Sequence, residues 1–144
     1  MISAELIEGA DLLLSDPRSV AAGVWPRAAA LLARQAIETA LLEFWLVRAP
    51  GLEWCSTHAQ LLCLPDYVRD REIAESASYA WTRLSRICHH HPYELLPTAA
   101  ELRVLVDTTR RLVGALQKFA SPGVTFQSFT VITNKTSTQP SCSE

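Results

Sequence analysis

"WPRAAALLARQAIETALLEFWLVRA", residues 25–49, is the stretch on which the fold turns. Pro26 stands where the first turn of a helix tolerates proline, because the N–H it lacks would have no intrahelical partner there. The run keeps helical character for about 23 residues, to Ala49, and stops before Pro50 and Gly51, a pair that ends helices. Apart from a narrow stripe around Arg27, Arg34 and Glu38, this helix is apolar or Ala nearly all round. Such a helix needs neighbours on several sides, so it belongs at a bundle centre or at a subunit interface.

The flanking sequence supplies the neighbours. "SAELIEGADLLL", Ser3 to Leu14, reads as a helix with Ser3 as its cap. "WCSTHAQLLCLPDY" predicts a short helix from about Ser56 to Leu64, broken at Pro65. The next helix is expected from Asp66 or Asp70 to His91. Ile73, Ala77, Ala80, Trp81, Leu84, Ile87, Cys88 and His91 would share one face, with Glu72, Ser76, Tyr79, Arg83, Arg86 and His90 on a polar stripe. The last opens with "TAAE", a capping box of Thr98 with Glu101, and sets Leu102, Leu105, Val106, Thr109, Leu112, Val113, Leu116 and Phe119 on a single face. Helices of this length with short breaks predict an all-α fold, an up-down antiparallel bundle of four to five helices over residues 1–120. From Ser121 the chain turns Ser/Thr-rich, with a β-prone patch from Val124 to Thr133 and a tip expected to be disordered.

Composition narrows the class. The 144 residues suffice for a core without disulfides or a structural metal. The acidic start, "MISAELIEGADLLLSDP", is unlike a secretory signal, and no stretch approaches the roughly 18 uncharged apolar residues of a membrane span. A cytoplasmic location, with no membrane partner, is the expectation. Cys55, Cys63, Cys88 and Cys142 show no CxxC spacing, so reduced thiols are expected rather than a zinc knuckle. The net charge of −2 is uneven: four arginines stand against eight acids up to Asp66, and eight basic residues against six acids from Arg69 to Ala120. An anionic ligand is therefore expected on the C-terminal half. No Gly-rich phosphate loop, GxSxG or Walker lysine is present, which leaves NTP hydrolysis and serine chemistry without residues.

Chemistry concentrates in "RLSRICHHHPYEL", residues 83–95, which holds three of the four histidines. Consecutive helical residues point about 100° apart, so His89, His90 and His91 do not readily converge on one ion, and no i, i+4 ligand pair is present. A site without metal or other cofactor is the expectation. A structural role is open too: His91 lies on the stripe of Trp81, Leu84 and Cys88, and imidazolium is favoured at a helix C-terminus. Taken with Arg86, however, the cluster suits acid-base work on a phosphodiester. Imidazole takes a proton from a ribose 2′-OH or gives one to the leaving oxygen, and guanidinium holds the phosphate. Five residues of ideal helix leave Arg86 and His91 roughly 140° apart and Arg86 and His90 about 40° apart. Pro92 biases His91 out of the α region, so spacing alone leaves both histidines open.

In these features the chain resembles the HEPN superfamily of all-α domains: an Arg-x4-His motif, Arg86 to His91, ends one long helix, the capped helix "PTAAELRVLVDTTRRLV" follows, and "LLARQAIETALLEFW" is similar to the family's packing and dimerisation helix. The resemblance implies a metal-independent endoribonuclease in which two protomers bring their Arg/His pairs into one cleft and leave a cyclic phosphate. It implies Arg86 as the phosphate-polarising residue and His91 as general acid or base, supported by His90 and His89, with Arg83, Tyr93 and Glu94 beside the substrate. RNA, a second copy of the chain and a nucleotidyltransferase-like antitoxin are the partners implied. The family's residue after the Arg is typically polar, whereas Ile87 stands here. A non-catalytic RNA- or nucleotide-binding or dimerisation module is the alternative.

Two further groups of side chains have competing readings. Arg103, Arg110, Arg111 and Lys118 form either an RNA-tracking strip or a solvated helix face interrupted by Asp107. Trp25, Trp45, Trp54 and Trp81 are stacking platforms or, on their apolar stripes, packing residues.

Overall fold

The computed structural model describes residues 2–16, 24–89 and 95–120. Five helices pack as a bundle: α1 (Ile2–Ser15), α2 (Trp25–Arg48), α3 (Thr57–Val68), α4 (Arg71–Cys88) and α5 (Ala99–Ala120). A short 3-10 turn, Leu52–Trp54, lies between α2 and α3, and no strand occurs among the described residues. The β-prone patch and tail lie outside them. No described helix is long and apolar enough to cross a membrane.

The centre of the bundle is α2, against which α1, α4 and α5 all pack; α3 lies mainly on α4. Ala29, Ala30, Ala33, Ala36 and Ala40 are buried along it, together with Ile37, Leu41, Phe44 and Trp45. The alanines let neighbouring helices approach, and the large residues near the C-terminal end fill the space that opens there. Trp45 meets Phe44 and Tyr67 edge-on, with ring centroids 4.9 and 5.0 Å apart. Burying each such large side chain contributes about 1.5–3 kcal/mol. One edge of α2 stays uncovered, where Leu31, Leu42 and Leu46 are exposed.

The ends of the helices correct several expectations. Ser3 does not cap α1: the helix already includes Ile2, and the Ser3 side chain is buried, its hydroxyl accepting from Gln117 Nε2 of α5 at 3.4 Å. Pro65 does not break α3, which runs on to Val68. Leu61, Leu64 and Val68 are buried at steps of three and four, so packing on both sides of the proline outweighs its lost backbone bond. Ser56 caps that helix by accepting from the Ala59 N–H at 3.3 Å, and Arg69, in the left-handed region at φ 55°, closes it. Asp70 then caps α4 through the Ile73 N–H at 3.2 Å.

The C-terminal end of α4 falls three residues short of the expected His91. The helix ends at Cys88; the His89 N–H closes its last turn on the Ser85 carbonyl at 3.2 Å, and His89 itself is extended (φ −82°, ψ 135°). Leu84 is the last fully buried side chain of α4, so little burial remains to hold helical geometry beyond the next turn. At α5 the capping box forms as expected: the Thr98 N–H donates to Glu101 Oε2 at 2.8 Å, and the Glu101 N–H to Thr98 Oγ1 at 3.2 Å. Its apolar face is buried from Leu102 to Leu116.

Candidate functional site, a cationic cleft at the end of α4

The last turn of α4, the first turn of α2 and the first turn of α5 meet around a cleft of about 350 Å³. From α4 come Arg83, Arg86 and Ile87, followed by His89; from α2 comes Arg27; from α5 comes Glu101. The segment from Leu95 to Thr98 completes the wall and makes one side of it apolar. Arg86 and His89 are exposed, whereas Arg27, Arg83 and Ile87 are half-buried. Among the described residues, three guanidiniums, one imidazole and one carboxylate line the same space.

That carboxylate is already engaged. Accepting the backbone N–H of Thr98, and then its hydroxyl, pulls the Glu101 carboxyl below the ordinary carboxylate range, with nearby Arg83 adding a smaller pull in the same direction. Glu101 thus stays ionised and committed to the cap. A guanidinium presents a planar fork of donors suited to phosphate oxygens, and partial burial reduces its screening by salt.

A polar tie joins α2 to α4. Glu38 Oε1 accepts from Trp81 Nε1 at 3.0 Å and from Arg34 Nε at 2.8 Å, and Arg34 lies 5.7 Å from the centroid of the Trp81 ring. Cys88, the last residue of α4, sits beside this tie; burial pushes its thiol up, and Arg34 opposes part of that shift. Burial thus favours the protonated thiol, and Cys88 packs against the core.

Of the residues singled out in the sequence, the structure brings Arg83, Arg86 and His89 into one cleft. His90, His91, Tyr93 and Glu94 lie outside the described residues. The helix that carries Arg83 and Arg86 ends at Cys88, before the histidine run. Arg27 carries no such mark in the sequence, where it stands only on the polar stripe of α2. Its place beside Arg83 and Arg86 depends on how α2 packs against α4, which no local pattern carries.

The basic strip of α5 is largely committed to the fold. Arg110 is paired with Asp107 at 2.6 Å and with Asp11 of α1, and Arg103 Nη2 donates to the Leu14 carbonyl at 3.2 Å. Arg111 Nη2 donates to Thr108 Oγ1 at 3.4 Å. Two of these cations thus clamp α1 onto α5. Among the tryptophans, Trp45 is buried, Trp25 and Trp81 pack against the core, and Trp54 is 86% exposed. No three His, Cys, Asp or Glu side chains among the described residues come together as a metal site would require.

Comparison with protein-family models, with curated proteins and with solved structures returns no match.

Proposed function

We propose that this chain is a metal-independent endoribonuclease of the HEPN type, cutting RNA by attack of a 2′-OH on the adjacent phosphate. The observation that supports this reading is the cleft in which Arg83, Arg86 and His89 converge at the end of α4. Arg86 would hold the scissile phosphate and offset the charge that builds on its oxygens. An imidazole of the His89–His91 run would take the 2′-OH proton or return one to the leaving oxygen. The balanced step forms an O2′–P bond and breaks the P–O5′ bond, giving a cyclic phosphate and a 5′-hydroxyl. A single imidazole cannot serve efficiently as both base and acid, so a homodimer that pairs two such sites belongs to the proposal, and the uncovered edge of α2 at Leu31, Leu42 and Leu46 offers it an apolar face. A nucleotidyltransferase-like antitoxin is a further partner of this reading, and the cytoplasm its location.

Ile87 favours a second reading, a module that binds RNA or nucleotides without cutting. Its half-buried aliphatic side chain lines the cleft directly after Arg86, where a polar neighbour would orient the reacting groups.

The test is cleavage of a mixture of single-stranded RNA and tRNA in EDTA, with Arg86→Ala and single alanine variants of His89, His90 and His91, each checked for folding by circular dichroism. Cleavage that persists in EDTA, ends in a cyclic phosphate, and is lost with Arg86 and one histidine supports the nuclease. Intact RNA with retained binding supports the binding module.

A further inference from the structure

We draw no further inference here: the strongest candidate, the groove between α4 and α5 lined by Ile73, Arg111, Gly114, Ala115, Lys118 and Phe119, is a partly apolar face, and nothing among the described residues shows what covers it.

Discussion

Replacing Trp81 by Phe tests how much the polar tie between α2 and α4 contributes to the fold. The substitution removes the indole N–H that donates to Glu38 Oε1 at 3.0 Å, and leaves Glu38 with Arg34 at 2.8 Å. A hydrogen bond to a charged group is worth about 1.5–3 kcal/mol, and the lower end applies because water replaces part of what is lost. The Glu38 side chain is 32% exposed, which is what lets water in. Phe also weakens the attraction of the Arg34 guanidinium to the ring, about 0.5 kcal/mol at a partly exposed site. The expected loss is about 2 kcal/mol, or roughly 6 °C in Tm for a chain of this size. Urea denaturation followed by far-UV circular dichroism measures it, and a double-mutant cycle with Glu38→Ala isolates the pair. A coupling of about 1.5 kcal/mol is expected. A coupling near zero would refute the reasoning: Trp81 would then act through its packing alone, and Glu38 would not connect the helices.

Three other outcomes are expected. Trp45 is wholly buried, and its indole N–H has no acceptor among the described residues, so Trp45→Phe opposes two effects. A void of roughly 40 Å³ costs about 1 kcal/mol, lost apolar contact a similar amount, and removal of an unsatisfied donor returns about 1–3 kcal/mol. The net change by urea denaturation should lie within about 1 kcal/mol of zero, and a loss above about 3 kcal/mol would show that the N–H is satisfied after all. Because the Cys88 thiol is pushed up by burial, its contribution is complete below the ordinary thiol range and is lost as pH rises through its raised folded value. The stability advantage of wild type over Cys88→Ala should therefore shrink in alkali, and iodoacetamide at pH 8 should label exposed Cys55 well before Cys88. Glu101 is shifted the other way by its cap, so its contribution is present above the ordinary carboxylate range and is lost as pH falls through its depressed folded value. Urea midpoints of wild type and Glu101→Gln should therefore converge as the solution is acidified.

Much of the scaffold was legible because its signals are local. The Thr98–Glu101 box and the period of α5 specify both the start and the buried face of that helix, and Pro26 with Pro50 and Gly51 brackets α2. Expectations failed where a local rule met a tertiary one. A proline rule ended α3 at Pro65, but burial of Leu64 and Val68 on either side carries the helix through. A wheel pattern extended α4 to His91, but burial ends at Leu84 and the helix soon after. In the candidate site, Arg83, Arg86 and His89 were legible because they share one short motif. Arg27 was not, since only the packing of α2 on α4 brings it there. The α5 strip illustrates the converse: four cations share one helix in sequence, yet Arg103 and Arg110 are occupied by α1, which the sequence of α5 alone does not contain.

The central place of α2 also sets a hierarchy of motion. A helix packed against three others cannot expose its backbone without separating all of them, so the amides from about Ala33 to Trp45 should exchange with solvent only through global unfolding. Helix α3, held mainly by α4, belongs to the other end of that scale and should open in a smaller, less costly event. Native-state hydrogen exchange should therefore register the centre of α2 and the packing of α3 as different clocks.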